Sequence, residues 1–231
     1  MIEIDRNIWL VDGPNVSFYG FAYPTRMVVV RLATGAVWVW SPIALTEALR
    51  AEIDLLGPVA HLVSPNKLHH LYLADWQAAF PTAKLWGPAT TIKKKPELTF
   101  QPPLTGEAPE AWAEEIAQFH FCGSSFMDEV VFCHLPSRTA IFADLSENFS
   151  DSFIRAYWSW WQRPIARLWK IVEPYGYAPL EWRWSWREKV EDRRTLKRLL
   201  ALKPERVVMA HGTWQRSGGT AYLERALRWL L

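Results

Sequence analysis

The chain has 231 residues, of which 50% are hydrophobic and 22% are charged, a composition typical of folded globular proteins rather than of disordered or fibrous ones. This length predicts one sizeable core rather than two independent domains. The formal net charge is only +2, from 26 basic and 24 acidic residues, so the composition gives no support to nucleic-acid binding.

The cysteines and the start of the chain indicate a cytoplasmic protein. Residues 1–6 lack the basic and apolar regions of a signal peptide, and no apolar run reaches the roughly 18 residues that cross a bilayer. Cys122 and Cys133 are isolated, have no metal-type spacing, and are interpreted as reduced core residues. We therefore expect a cytoplasmic location without a spanning segment.

The pattern of apolar residues predicts strands first, then alternating strands and helices, then strands and helices again. The predicted strands are Ile8 to Val11, Met27 to Leu32, Ala36 to Trp40, Val59 to Val63, Ala83 to Trp86, Ile116 to Phe121, Glu129 to His134, Thr139 to Ala143 and Val207 to Met209. The predicted helices are Leu45 to Leu56, Leu71 to Phe80, Leu196 to Leu200 and Ala221 to Leu230, and residues 93–96 and 102–109 are predicted as exposed loops. This order suits an α+β domain with two mixed sheets flanked by helices.

A tryptophan-rich helical insertion is predicted around residues 150–190, within one domain over residues 1–231. Phe153 to Trp169 has an aromatic side and an arginine-rich side, with Pro164 expected to kink or divide it, whereas Trp182, Trp184 and Trp186 alternate like an extended piece. The aromatic surface is interpreted first as core or lid packing, then as a seam for self-association into a homo-oligomer. Contact with a membrane is the least favoured interpretation.

Four potential metal ligands stand at or near the ends of predicted strands. His69 and His70 follow a strand and a Pro65-Asn66 break, Asp144 ends another strand, and His211 ends the last. Three nitrogens and one oxygen suit zinc, iron or manganese. The alternative interpretation is that each residue is separately a helix cap, a salt-bridge partner or a packed polar group.

Beyond this pattern, the sequence resembles the metallo-β-lactamase superfamily. The run Val63-Ser64-Pro65-Asn66-Lys67-Leu68-His69-His70, followed by a helix and Phe80-Pro81-Thr82-Ala83-Lys84-Leu85-Trp86, is similar to the superfamily's Thr-His-x-His-x-Asp-His stretch, helix and proline-ended turn. Residues 139–145 resemble its strand ending in Gly-Asp, and residues 207–212 its closing strand ending in His-Gly. More narrowly, the chain resembles a metallo-β-lactamase-like family with an Asn-x-x-His-His core. The resemblance implies a four-layer αββα sandwich.

Position by position, the resemblance implies one divalent metal ion, zinc in the first place, with iron and manganese as alternatives. Its ligands would be His69, in place of the superfamily's aspartate, with His70, Asp144 and His211. The other metal site is degenerate, because its two leading histidines correspond to Pro65 and Lys67 and its third ligand falls near Ser125.

Asp144 and Lys67 are predicted as catalytic residues, since the lysine ammonium would stand where the missing cation sits and hold Asp144 by charge. Three further candidates are His120, close to the missing third ligand, Asn66 in the core motif, and Asp75, about a turn and a half beyond His70. Asp75 is interpreted as a solvated acid or a partner of a ligand.

The implied reaction is hydrolysis of an ester, thioester, amide or phosphoester by a single metal-bound hydroxide, on a small-molecule substrate that the sequence does not identify. A competing hypothesis is a degenerate, non-catalytic protein of the same fold that binds a ligand or a partner through its aromatic surface.

Overall fold

The computed structural model describes residues 1–231 and contains two β-sheets packed face to face between helices. The strands are β1 (Ile2–Asp5), β2 (Ile8–Phe18), β3 (Phe21–Arg31), β4 (Val37–Trp40), β5 (Val59–Val63), β6 (Lys84–Trp86), β7 (Ile116–Phe121), β8 (Glu129–His134), β9 (Thr139–Phe142) and β10 (Arg206–Met209). The helices are α1 (Glu47–Asp54), α2 (Leu73–Ala79), α3 (Ala89–Lys94), α4 (Asp151–Tyr157), α5 (Arg163–Trp169), α6 (Leu180–Trp184), α7 (Val190–Ala201) and α8 (Gly219–Ala226).

Both sheets are mixed, as predicted. The larger sheet has the order β1-β2-β3-β4-β5-β6, antiparallel as far as β4 and parallel from β4 to β6. The smaller sheet has the order β10-β9-β8-β7, in which only β10 and β9 run parallel. The parallel pairs bring the carboxyl ends of β4 and β5 to one edge of the larger sheet, and those of β9 and β10 to one edge of the smaller.

The period-two alternation of apolar side chains builds the layers. Val28 and Val30 of β3 pack between the two sheets in one cluster with Phe132 of β8. Their neighbours Met27 and Val29 face the other way, into a cluster shared with α1 and α2. On the far side, α6, α7 and α8 cover the outer face of the smaller sheet. The predicted αββα four-layer sandwich is therefore confirmed.

The segment around residues 150–190 forms three short helices. α4 and α5 replace the single predicted helix and are divided near Pro164, which stands in the first turn of α5. The extended interpretation is wrong for Trp182 and Trp184, which lie in α6, whereas Trp186 follows the helix and forms an isolated antiparallel β-bridge with Ser124. Residues i and i+2 lie on opposite faces of a helical turn, so Trp182 is buried while Trp184 is 79% exposed.

Other differences from the predictions are local. β1 was not predicted, and β2 and β3 extend into a long hairpin that ends at Phe18 and Phe21. α3 includes Lys93 and Lys94, which were expected in a loop. Both cysteines are free, but Cys122 is exposed, so the core interpretation was wrong for that residue. None of the helices has the length and apolarity needed to traverse a bilayer.

Candidate metal centre

Three of the four predicted ligands converge at the edge where β4, β5, β9 and β10 end. The ligand atoms of His69, Asp144 and His211 all lie within 4.8 Å of one another. His69 Nε2 is 3.3 Å from Asp144 Oδ2, and His211 Nε2 is 3.2 Å from Asp144 Oδ1. The carboxylate therefore lies between the two imidazoles and presents a different oxygen to each.

Each imidazole is held by its other nitrogen. His211 Nδ1 lies 2.7 Å from the backbone carbonyl of Pro24, which only accepts hydrogen bonds, so Nδ1 carries a proton and Nε2 is the nitrogen that faces Asp144. His69 Nδ1 lies 2.7 Å from the hydroxyl of Ser41, which can accept in the same way. Such partners fix the ring orientation of metal-ligating histidines.

Asn66 and Glu129 hold Asp144 in place through hydrogen bonds. Asn66 Nδ2 donates to Asp144 Oδ2 at 2.7 Å and to Glu129 Oε2 at 3.0 Å. Glu129 in turn accepts the backbone N–H groups of Ala143, Asp144 and Leu145. These contacts fix both the side chain and the backbone of the residue that lies between the histidines, and they give the predicted candidate Asn66 a positioning role.

The buried charges at this site shift one another's pKa values. Burial would raise the pKa of Asp144, but the charges and hydrogen bonds of His69 and His211 outweigh it and lower that pKa below its ordinary value. Burial and the neighbouring Asp144 charge raise the pKa of Glu129, against the opposing effect of its N–H donors. Burial, Asp144 and Glu181 likewise raise the pKa of Glu147, which lines the cavity above. The site favours a carboxylate at Asp144 over one at its acidic neighbours.

A salt bridge and two charged hydrogen bonds hold the backbone beside His211. Arg26 of β3 is bound to Asp12 Oδ1 at 2.7 Å and donates to the carbonyls of Met209 and Gly212, each at 2.8 Å. The guanidinium thus connects the larger sheet to the strand end that carries His211.

His70 lies outside the converging group. It lines the same cavity but contributes no atom to the set within 4.8 Å, and its imidazole forms no hydrogen bond with another side chain. Neighbouring side chains in the turn diverge, and His69 is the one held inward by Ser41. The structure therefore brings together a three-residue group rather than the predicted four.

Lys67 does not reach Asp144, contrary to the expectation that it holds this residue by charge. Its ammonium donates to the Phe126 carbonyl and lies 4.4 Å from the centre of the Phe126 ring. The place beside Asp144 is taken by the Asn66 amide and the two imidazoles.

Two other candidates also lie apart from the group. His120 Nε2 pairs with Asp128 Oδ2 at 2.8 Å, and Asp75 is exposed on α2 without an ion pair. Asp75 is thus a solvated acid, and His120 belongs to a separate pair.

A cavity of about 470 Å³ opens above the three residues. Its walls come from the β2–β3 hairpin, the turn before α2, the loop before β8 and the start of α6. Aromatic and aliphatic side chains dominate these walls, among them Phe18, Leu71, Phe126 and Trp182. The size and lining suit a small organic molecule. Trp182 also belongs to the buried cluster on the outer face of the smaller sheet, so core packing describes this tryptophan.

The sequence interpretation missed Ser41, Pro24, Arg26 and Glu129. Glu129 could have been identified from the sequence. It is an isolated acidic residue at the start of an apolar strand, where burying an unpaired carboxylate would be costly. Ser41 and Pro24 contact the histidines, and Arg26 the backbone beside His211, from distant parts of the chain, so none of the three carries a local pattern.

Comparison with known proteins supports the same architecture. Residues 5–91 match a family described as a domain of unknown function, DUF4336. No curated protein matches the sequence.

Solved structures match over nearly the whole chain. A metallo-β-lactamase from Pontibacter korlensis is 15% identical, covering 99% of this chain and 96% of its own, with a TM-score of 0.63. The metallo-β-lactamase FIM-1 from Pseudomonas aeruginosa in its mono-zinc form is 12% identical, covering 99% and 93%, with a TM-score of 0.63. A metallo-β-lactamase from Erythrobacter litoralis is 12% identical, covering 99% and 94%, with a TM-score of 0.60. The chain therefore has a metallo-β-lactamase-like fold.

Proposed function

We propose that this metallo-β-lactamase-like protein is a metal-dependent hydrolase that uses one divalent ion held by His69, Asp144 and His211. The observation that carries the proposal is the convergence of two imidazole nitrogens and a carboxylate at the base of a cavity. One structural neighbour, FIM-1, is described in a mono-zinc form, which makes a single ion a reasonable occupant of this fold.

The geometry of the three residues fits such an ion. Two ligand atoms each about 2.0–2.1 Å from a tetrahedral ion lie about 3.4 Å apart. The two nitrogen-to-oxygen distances here are 3.3 Å to Oδ2 and 3.2 Å to Oδ1 of Asp144, and all ligand atoms lie within 4.8 Å of one another. Because Nδ1 of His211 donates to the Pro24 carbonyl, the neutral form of this imidazole carries its lone pair on Nε2, which faces the shared space. Nitrogen and oxygen donors of this kind favour zinc, with iron and manganese as alternatives.

When bound, the ion would act as a Lewis acid toward a carbonyl or phosphoryl oxygen and would lower the pKa of water. His69, Asp144 and His211 would hold it at the base of the cavity, beside the aromatic walls. Asn66 and Glu129 keep the Asp144 carboxylate oriented through the hydrogen bonds described above. The bond to be hydrolysed, in an ester, thioester, amide or phosphoester, would lie above these three residues.

Elemental analysis of the purified protein tests the ligand set. We expect about one equivalent of metal in the wild type and loss of most of it in His69→Ala and in His211→Ala, because each change removes one of the three proposed ligands. His70→Ala is the matched control, since this neighbour lines the cavity but stands outside the group, and it should keep its metal.

A folded wild-type protein that binds no divalent metal after refilling with zinc, iron or manganese would contradict the hydrolase proposal. It would favour the alternative of a non-catalytic binding module. Equal loss of metal from His70→Ala and His211→Ala would instead support the four ligands predicted from the sequence.

Self-association through the tryptophan-rich segment stays a prediction, as do the cytoplasmic location and the absence of nucleic-acid binding. Trp160 and Trp184 are 80% and 79% exposed, which leaves apolar surface for a second copy. Light scattering should show a smaller mass for the Trp160→Ser, Trp184→Ser double variant than for the wild type. Identical masses would contradict self-association through this surface.

A further inference from the structure

The charges around the cavity are unevenly distributed. Lys94 of α3 and His70 line one wall, and neither side chain forms a hydrogen bond or an ion pair with another residue. The other cation in the lining, Arg26, is already bound to Asp12 and two carbonyls. Glu147 and Glu181 are the acids elsewhere in the lining, apart from Asp144 itself.

No acidic side chain pairs with Lys94, so its positive charge on the cavity wall is not compensated. Lys94 has Lys67 and Lys95 as charged neighbours, and burial together with these two charges lowers its pKa. The acidic residue with an ion pair beside Lys94 is Glu97, which binds the neighbouring Lys95. An anion placed at this wall would relieve the repulsion.

The rest of the cavity favours an apolar body. Phe18, Tyr19, Leu71 and Phe126 line it, and the last three are partly or largely exposed to the cavity and to solvent. A ligand that fills this space would bury these rings and gain about 25 cal/mol for each Å² of apolar surface removed from water. The ligand that matches both features is an amphipathic one.

We propose that Lys94 and His70 form an anion-binding subsite, which orients a substrate with an apolar body and a terminal carboxylate or phosphate. Lys94 supplies the charge and His70 an N–H donor, while the apolar body fills the aromatic part of the cavity. The inference depends on the proposed function only in calling the ligand a substrate. Binding itself requires no metal.

Calorimetric titration with three matched probes tests the subsite. 4-Phenylbutyrate and 4-phenylbutyl phosphate carry the anion, and 4-phenylbutanol is their neutral counterpart. At low ionic strength we expect each anion to bind about tenfold more tightly than the alcohol, since charge-assisted hydrogen bonds at a partly exposed site are weakened by salt. The tighter of the two anions identifies the carboxylate or phosphate class.

The neighbouring lysine provides a matched control. Lys94→Gln should reduce the tenfold preference to about twofold or less, whereas Lys94→Arg should keep most of it. Lys93→Gln changes an exposed lysine of the same helix that does not line the cavity, and it should leave the preference unchanged.

The titrations are run on the protein as purified and again after a chelator has removed metal. A preference that persists without metal and is lost in Lys94→Gln supports the subsite, even if the hydrolase proposal fails. A preference that disappears with the metal would place the anion on the ion, overturning the subsite but not the hydrolase. Equal binding of all three probes, no binding of any, or equal loss in Lys93→Gln and Lys94→Gln would also overturn it.

Discussion

Glu129 shows how one side chain can determine the position of another. It is fully buried at the start of β8, and its two oxygens accept four N–H groups: three from the backbone of residues 143–145 and one from Asn66. All four partners are donors, so the position requires two acceptor oxygens. A carboxyl group has two oxygens that can accept, and an amide of the same shape has only one.

Glu129→Gln should therefore lower the free energy of unfolding by about 1–3 kcal/mol, because its amide nitrogen would face at least one buried N–H. We also expect weaker metal binding, since the backbone that carries Asp144 would shift. Urea unfolding with excess chelator measures the first effect and metal titration the second. Glu114→Gln, at an exposed position, is the control and should change neither.

The residues of the candidate site differ in how far the sequence reveals them. His69, Asp144 and His211 were predicted because each follows an apolar strand, and a polar side chain at a strand end is a local pattern. Which neighbour of the histidine pair turns inward was not predictable. That choice depends on Ser41, 28 residues away, which adopts a left-handed backbone conformation at φ 50° and places its hydroxyl against His69.

At the scale of elements, the end of β10 depends on Gly212. This residue has φ +99°, and a Cβ atom there would lie 2.2 Å from the backbone oxygen of Asn148. Asn148 N also donates to the carbonyl of His211 at 3.0 Å, so the two segments are held in close contact. The glycine permits this approach, which positions His211 beside the Pro24 carbonyl.

Gly212→Ala should destabilise the protein by more than backbone strain alone. Strain in a left-handed conformation costs about 1–2 kcal/mol, and the contact with a rigid backbone adds about 1–3 kcal/mol. Gly218→Ala is the control, because Gly218 has φ +67° but nothing lies within 4 Å of its Cβ position. It should lose only the strain contribution, so equal unfolding free energies for the two variants would contradict the close-contact argument.

Most elements could be predicted because their apolar periodicity matches their burial. β5, β7 and β8 have the predicted boundaries, since each is an apolar run with few competing local signals. The tryptophan-rich segment resisted prediction because spacing by two residues fits both a strand and opposite faces of a short helix. Tertiary contacts select the helix for residues 180–184. One of them is the hydrogen bond that Trp182 Nε1 donates to the Met127 carbonyl at 3.1 Å.

At the scale of the whole molecule, two histidines are buried away from the candidate site. His61 of β5 accepts a hydrogen bond from Trp86 Nε1 at 3.2 Å, and His134 of β8 bonds to the Ser137 hydroxyl at 2.7 Å. Burial and the charge of Lys84 lower the pKa of His61 to about 4. Burial lowers the pKa of His134 to about 4 as well, against the opposing charge of Asp5.

These shifts predict lower stability in acid. The ordinary pKa of histidine is 6.5, so between about pH 6.5 and pH 4 the unfolded chain binds protons that the folded chain does not. The stability associated with the two neutral imidazoles is fully present above pH 6.5 and falls as the pH is lowered through this window. In urea midpoints measured from pH 7 to pH 4.5, with chelator present to remove any effect of metal release, the two histidines should contribute a decrease, and the raised pKa values of Glu129 and Glu147 act in the opposite direction.

The contribution of the two histidines can be separated from that of the carboxylates. His61→Gln, His134→Gln retains hydrogen-bonding side chains that do not titrate, so its urea midpoint should decrease less steeply over the same pH range than that of the wild type. His120→Gln, in which a half-buried histidine paired with Asp128 is replaced, is the comparison variant. A double variant with the wild-type slope would show that carboxylates alone set the acid sensitivity of this fold.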